Sequence, residues 1–192
     1  MNNIPGGLRH RPFLTPIWLT VIAAFLAFAA VVVAAVTLWE WGTADSTTVI
    51  VIRHAEKDLG GGPDPNLTPQ GEARAALLAR MFGSASAHGG INAIYVSPTI
   101  RSRATAAPLA AALNLTPVVA PADDAKNLAR RALRDHTGGR VLIVGHSDTV
   151  PAIVGELSGD RAIPKIADAE YGAMYIVTVP RFGHANFVRL NY

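Results

Sequence analysis

A run of uncharged, mostly apolar residues near the start of the chain restricts its possible folds more than any other feature. Residues 16–38 contain no Asp, Glu, Lys or Arg and consist largely of Ala, Val, Ile, Leu and Phe. A helix of about 23 residues, rising about 1.5 Å per residue, crosses a hydrocarbon core roughly 30 Å thick. Trp18 lies at one end of the run, and Trp39 and Trp41 lie at the other, where the membrane interfaces would be. Because no polar face is present, the pattern predicts a transmembrane helix over residues 16–39 rather than a core helix.

The charges that flank this run predict its orientation. Arg9 and Arg11 precede it, and Glu40 and Asp45 follow it. Since basic residues concentrate on the cytoplasmic side of a membrane span, we expect residues 1–15 to form a short cytoplasmic tail. The rest of the chain would then be extracytoplasmic or periplasmic. An uncleaved, single-pass signal-anchor would hold it at the cell (inner) membrane. A cleaved signal peptide is the alternative, although its apolar region is usually only about 7 to 15 residues long. The reverse topology, with a cytoplasmic domain, is the other alternative.

The composition of the chain excludes some classes of function. It has 192 residues, a net charge of +3 and no Cys. The absence of Cys excludes disulfides and thiolate metal sites. Because the net charge is small and no lysine-rich run is present, nucleic acid is a poor candidate partner. The small positive charge is compatible with an anionic small substrate. The composition leaves the oligomeric state unknown.

After a predicted linker at residues 40–47, apolar strands alternate with helices. Several strand runs show no polar alternation, so they are expected to be buried on both faces of a sheet. We expect strands at 49–52, 91–96, 115–119, 140–144, 173–179 and 186–190, and helices at 68–82, 99–113, 123–136 and from about 149. This order predicts one α/β domain over residues 48–192, a three-layer αβα arrangement with a mostly parallel sheet. The last two strands would form a hairpin.

Basic side chains follow three of the predicted strands. Arg53 and His54 come directly after the first strand, Arg101 lies in the first turn of the helix after the second, and His146 follows the fourth. We call Arg53, His54, Arg101 and His146 the quartet. Because carboxyl ends of parallel strands lie on one rim, where ligands bind, we expect the quartet to converge. Two guanidiniums beside two imidazoles favour a phosphoryl group and disfavour a metal ion. The sequence therefore predicts no metal site and no cofactor.

A histidine in such a pocket can act as a nucleophile. His54 would attack phosphorus in line and expel an alcohol, and water would then hydrolyse the phosphohistidine. The rest of the quartet would hold the equatorial oxygens, where negative charge spreads in the transition state. A carboxylic acid should protonate the leaving oxygen and later deprotonate water.

Four short blocks occur in a characteristic order. They are Arg53-His54-Ala55-Glu56-Lys57, Leu67-Thr68-Pro69-Gln70-Gly71, Ser97-Pro98-x-x-Arg101-x-x-x-Thr105-Ala106 and Val144-Gly145-His146-Ser147. Together they resemble the histidine phosphatase superfamily, in its phosphoglycerate mutase-like branch, over residues 49–192. The resemblance implies that His54 is the phosphoacceptor and that the rest of the quartet binds the phosphoryl group.

The chain departs from the family pattern in two places. Ala55 replaces the glycine that often follows Arg-His in the family. The family's acid, generally a glutamate, lies in an insert after the third strand, and this chain has little insert there. Asp124 is the predicted acid by this resemblance, with Asp123 and Asp148 as alternatives. The resemblance thus implies a compact member without a large cap, with an open site in which mutase chemistry is not expected.

The sequence as a whole predicts a membrane-anchored, extracytoplasmic phosphatase that hydrolyses phosphomonoesters through a phosphohistidine. Its partners would be the membrane, through the N-terminal helix, and a phosphorylated small molecule or envelope substrate. Two alternatives stay open. One is a phosphohistidine phosphatase acting on a phosphoprotein, whose leaving group needs little protonation. The other is a non-catalytic module that binds phosphoanions without turning them over.

Overall fold

The computed structural model describes residues 17–44, 46–84, 90–121, 123–160 and 162–192. The chain divides into two units, Met1–Trp41 and Gly42–Tyr192. The predicted cytoplasmic tail lies outside the described residues.

The first unit contains the predicted apolar helix. Helix α1 (Ile17–Ala44) includes the segment Ile17–Trp39, which is long and apolar enough to cross a membrane and has no buried part. A signal sequence near an N-terminus would show the same features. Helix α1 continues to Ala44, and strand β1 (Thr47–Arg53) begins at Thr47. Helix and strand therefore take up most of the linker predicted at residues 40–47.

The described part of the second unit contains six strands and four further helices. In chain order they are β1, α2 (Pro69–Phe82), β2 (Ala93–Val96), α3 (Ile100–Leu113), β3 (Val118–Val119), α4 (Ala125–Asp135), β4 (Arg140–Gly145), α5 (Thr149–Ser158), β5 (Ala173–Val179) and β6 (Asn186–Asn191).

Two strands are shorter than the sequence predicted. Strand β2 begins at Ala93. The residue before it, Asn92, bonds to Arg140 twice: its backbone N–H donates to the Arg140 carbonyl oxygen at 2.8 Å, and its Oδ1 accepts from the Arg140 N–H at 2.7 Å. Strand β3 has only two residues and follows Pro117, which has no N–H to donate to a ladder. A missing donor thus shortens β3, which the apolar run alone would make longer.

All six strands form one sheet in the order β3-β2-β4-β1-β5-β6. The pairs β3–β2, β2–β4 and β4–β1 are parallel, whereas β1–β5 and β5–β6 are antiparallel. The predicted mostly parallel sheet and the final hairpin are therefore confirmed. The carboxyl ends of β1, β2 and β4 lie on the same rim.

The sheet carries helices on both faces. Val49 and Val51 of β1 enter the core shared with α4 and α5, whereas Ile50 and Ile52 enter the core shared with α2 and α3. Each of these four side chains is at most 3% exposed, and burial of one such side chain stabilises a fold by about 1.5–3 kcal/mol. The αβα prediction is confirmed, and the run lacks polar alternation because both of its faces are buried.

Candidate active site

The register of β1 against β4 brings two histidines together. Arg53 pairs with Gly145, and the backbone N–H of His54 donates to the carbonyl oxygen of Gly145 at 2.9 Å. The next residue on each strand is therefore a histidine. The ring centroids of His54 and His146 lie 5.3 Å apart, with their planes at 63°. The sequence predicted that these strand ends share a rim, and the structure makes them immediate neighbours.

The hydrogen bond of His54 defines its tautomer. The imidazole is 3% exposed, and its Nδ1 lies 2.8 Å from the carbonyl oxygen of Ala55. Because a carbonyl only accepts, Nδ1 carries the proton and Nε2 keeps its lone pair. Burial lowers the pKa of His54 to about 4, and the nearby charges of His146, Arg53 and Arg101 act in the same direction. At neutral pH His54 is thus an uncharged imidazole with a free Nε2.

His146 lies at the junction of β4 and α5. Its backbone N–H donates to Oγ1 of Thr149 at 2.8 Å. Burial, with the charge of Arg101, also lowers the pKa of His146. A Cβ at Gly145 would lie 2.8 Å from that same Thr149 oxygen, so only glycine lets α5 begin this close to the strand. The Gly-His pair thus places an imidazole beside the first turn of a helix.

Arg53 is held by residues 167–171, for which no sequence pattern predicts a role. Its Nη1 donates to the carbonyl oxygens of Ala167, Asp168 and Glu170, each at 2.9 Å. Its Cζ also lies 4.2 Å from the centroid of the Tyr171 ring. Its Nε is buried, and no group among the described residues accepts from it. The protein therefore fixes one nitrogen of this guanidinium and leaves another without a partner.

Arg101, like Arg53, is bonded through one nitrogen and has another without a partner in the described part of the chain. It is the second residue of α3, and its Nη1 lies 3.2 Å from Oδ1 of Asp64. Both oxygens of Asp64 also accept from the backbone N–H of Ile100, at 3.1 and 3.0 Å. The Nε of Arg101 is buried and without an acceptor among the described residues. Asp64 belongs to the Gly- and Pro-rich loop between β1 and α2, where no sequence pattern indicated a contact with Arg101.

Thr105 connects the two sides of the site. Thr105 follows Arg101 by four residues on α3, and its Oγ1 donates to the carbonyl oxygen of Arg101 at 2.7 Å. The same oxygen accepts from the backbone N–H of Ala55 at 2.9 Å. This fully buried hydroxyl joins α3 to the residue after His54.

A cavity of about 800 Å³ contains the whole quartet in its lining. Lys57, Lys165 and Tyr171 line it as well, so the lining combines four cationic side chains with the carboxylates of Asp123, Asp148 and Asp168. Lys57 lies within the Arg-His-Ala-Glu-Lys block and was recognisable there, whereas Lys165 and Tyr171 carried no sequence signal. Among the described residues, no group of three or more His, Asp or Glu is arranged to hold a metal ion.

The three candidate carboxylates lie at different positions relative to the cavity. Asp124 is the N-cap of α4: its oxygens accept from the N–H and side-chain amide of Asn127, at 3.2 and 2.6 Å. It is not among the residues that line the cavity, whereas Asp123, Asp148 and Asp168 are. Asp124 as the acid stays a prediction, and its capping bonds hold its side chain at the N-terminus of α4. The two sequence alternatives, Asp123 and Asp148, remain candidates.

Comparison with known proteins supports this architecture. Residues 49–123 match the model of the histidine phosphatase superfamily (branch 1). No curated protein matches the chain.

Several solved structures share the fold. The protein histidine phosphatase SixA, complexed with tungstate, has 22% identity and a TM-score of 0.63, over 75% of this chain and 96% of that one. A mycobacterial glucosyl-3-phosphoglycerate phosphatase has 15% identity and a TM-score of 0.59, over 77% and 98%. A phosphoserine phosphatase variant from Entamoeba histolytica, in complex with phosphoserine, has 17% identity and a TM-score of 0.56, over 76% and 96%. Residues 49–123 thus match the histidine phosphatase superfamily (branch 1), and the chain shares the fold of these solved structures.

Proposed function

We propose that this chain is a membrane-anchored phosphatase that hydrolyses phosphomonoesters through a phosphohistidine at His54. One observation carries the proposal: Arg53, Arg101 and His146 line the same cavity as the uncharged, tautomer-fixed imidazole of His54. A phosphoryl group in the cavity would accept charge-assisted hydrogen bonds from the two guanidiniums, and such bonds are stronger than neutral ones.

The quartet divides the work of the reaction. Arg53, Arg101 and His146 hold the equatorial oxygens of the phosphoryl group and neutralise the charge that spreads over them in the transition state. Arg53 is already fixed by three carbonyls and Arg101 by Asp64, so these side chains lose little conformational entropy on binding.

The reaction has two steps. Nε2 of His54 attacks phosphorus as the bond to the leaving oxygen breaks, and that oxygen takes a proton from a carboxylic acid. Water then attacks the phosphohistidine, the P–N bond breaks, and the proton lost by water returns to the carboxylate. The products are an alcohol and inorganic phosphate. We assign the carboxylic acid to Asp123 or Asp148, the two sequence candidates that line the cavity.

The test is to trap the intermediate. The full-length chain in detergent, mixed with a ³²P-labelled phosphomonoester and quenched with base, should carry acid-labile phosphate on His54. The His54→Ala variant should lose the label and at least about 1,000-fold of the turnover rate. His184, an exposed residue outside the cavity lining, provides the matched control His184→Ala. Turnover by His54→Ala at the wild-type rate would refute the proposal, and phosphate binding without turnover by the wild type would establish the non-catalytic alternative.

A second candidate function is supported by the exposure of the carboxylates. Asp123, Asp148 and Asp168 are all exposed, and the buried carboxylate near the quartet, Glu56, is paired with Arg74 at 2.6 Å. An acid is usually kept protonated by burial. Phosphohistidine needs less help from an acid than an alkyl ester does, because its leaving group is an imidazole. A much higher kcat/KM on a phosphohistidine peptide than on alkyl phosphates would support phosphohistidine phosphatase activity.

The location is also part of the proposal. The length and composition of Ile17–Trp39 support a membrane anchor, and the flanking charges support an extracytoplasmic domain. A C-terminal alkaline phosphatase fusion should be active, and the chain should resist extraction from membranes with carbonate. A processed N-terminus in the mature chain would instead indicate a cleaved signal sequence. Activity of a C-terminal reporter that works only in the cytoplasm would establish the reverse topology.

A further inference from the structure

We propose that Arg74 is a positioning residue that holds together the two segments presenting the nucleophile and Arg53. The proposal rests on the phosphatase function above. Arg74 lies on α2 and is not among the residues that line the cavity, so it would act through its neighbours. No sequence pattern singled it out.

The first segment is the one that carries His54. Glu56 follows the nucleophile by two residues and is 8% exposed. Nε of Arg74 donates to both carboxylate oxygens of Glu56, at 3.0 and 2.9 Å, and Nη2 donates to Oε1 at 2.6 Å. Although burial opposes it, this bonding lowers the pKa of Glu56. The residues after the nucleophile are thereby fixed to α2.

The second segment is the one that holds Arg53. Nη1 of Arg74 donates to the carbonyl oxygen of Tyr192, whose ring centroid lies 5.4 Å from Cζ of Arg74. The backbone N–H of Tyr192 in turn donates to the carbonyl oxygen of Gly172 at 3.0 Å. Gly172 directly follows Tyr171, the aromatic ring that packs on Arg53. One guanidinium therefore connects both segments.

The space around Arg74 leaves little room for another arrangement. A Cβ at Gly172 would lie 2.9 Å from the carbonyl oxygen of Tyr192 and 3.2 Å from Nη1 of Arg74. A Cβ at Gly71 would lie 2.3 Å from the carbonyl oxygen of Glu56. The backbone of both segments is therefore closely packed here. Because of this packing, a shift of either segment would displace the site residue that it presents. Lysine cannot replace the arginine fully, because its single ammonium lacks the planar fork that reaches both segments.

The experiment compares variants of the full-length chain in detergent. Arg74→Met removes every hydrogen bond that Arg74 donates, and Arg74→Lys keeps the positive charge. Glu56→Gln weakens only the connection from Arg74 to the segment that carries His54. Arg80→Met, on the exposed side of the same helix, is the matched control. The measurements are the thermal midpoint, kcat and KM with an aryl phosphate, the Kd for orthovanadate, and the NMR signals of the His54 ring nitrogens.

We expect Arg74→Met to lose about 100-fold in kcat/KM, mainly through kcat, since a displacement of about 1 Å at a reacting group costs that much. Orthovanadate should bind more weakly and the His54 signals should shift, with Arg74→Lys and Glu56→Gln intermediate. A purely structural role would lower the thermal midpoint and leave all three site readouts at the values of Arg80→Met. That result in folded Arg74→Met would overturn the proposal.

Two outcomes separate this proposal from the proposed function. If the wild type turns over no phosphate ester, the function fails, while orthovanadate affinity and the His54 signals still test Arg74. If Arg74→Met does not fold, the same readouts in Arg74→Lys and Glu56→Gln decide, and wild-type values in both would contradict a positioning role.

Discussion

His54 and His146 face each other at the ends of two paired parallel strands, with their ring centroids 5.3 Å apart. The fold places a second imidazole and two guanidiniums around the buried His54. Burial first, and then these neighbours, lower the pKa of His54 to about 4. In the proposed reaction, the groups that bind the oxyanion therefore also keep the nucleophile uncharged.

The first prediction concerns this pKa. Long-range ¹H–¹⁵N spectra of the full-length chain should show the His54 ring titrating at about pH 4, instead of near its ordinary value of 6.5. The proton at neutral pH should be on Nδ1, since that nitrogen bonds to Ala55. The signals that are missing from the spectrum of His54→Gln identify the ring nitrogens of His54. A titration near pH 6.5 would contradict the buried site described here.

The second prediction concerns stability against pH. The pKa of His54 is lower in the folded chain than in the unfolded one, so the unfolded chain binds more protons between pH 6.5 and about 4. The free energy of unfolding should therefore decrease as the pH falls through this window. In His54→Gln the decrease should be smaller, as measured by the thermal midpoint at each pH. Equal slopes in both proteins would show that His54 is not the group responsible.

The third prediction separates the two arginines. Arg53→Met leaves three carbonyl oxygens without their donor, so we expect it to lower the free energy of unfolding by about 2 kcal/mol or more. Arg101→Met breaks an ion pair with a carboxylate that is 40% exposed, so its loss should be about 1 kcal/mol or less. Both should weaken orthovanadate binding in calorimetry. Equal stability losses would mean that the carbonyl contacts do not fix Arg53.

The fourth prediction concerns the general acid. Asp124→Asn should keep nearly full activity, because Asn caps a helix about as well as Asp and Asp124 is not in the cavity lining. Asp123→Asn or Asp148→Asn should lower kcat on alkyl phosphates by about 100-fold, and by much less on aryl phosphates, whose leaving groups need little protonation. The ratio of the two rates is the measurement. Full alkyl activity in both variants would favour the phosphohistidine alternative.

The fifth prediction concerns Thr105. Thr105→Val keeps the shape of the side chain but leaves the buried N–H of Ala55 without an acceptor, at a cost of about 1–3 kcal/mol. The thermal midpoint should fall accordingly, whereas Thr105→Ser should restore most of it. If Thr105→Val were as stable as the wild type, the link between α3 and the His54 segment would be unimportant.

Much of this protein follows from local patterns in the sequence. Apolar runs such as residues 49–52 define strands buried on both faces, because a parallel sheet covered by helices has no polar side. Thr68 with Pro69 marks the start of α2, since both residues suit a helix N-terminus. The quartet was recognisable because its members stand where apolar strands stop. The apolar segment that could span a membrane was equally evident from its length.

Only the tertiary structure determined which strands are neighbours and which side chains meet. Strand β4 lies between β2 and β1, and this order makes His54 and His146 adjacent. The carbonyls around Arg53 and the pairing of Glu56 with Arg74 join segments far apart in the chain, so no local periodicity predicts them. Only the structure shows that Asp124 caps α4 while Asp123 lines the cavity, because an acid and a helix cap share the same local sequence. Propensity and periodicity act over a few residues, whereas a binding site depends on contacts that only the packed chain creates.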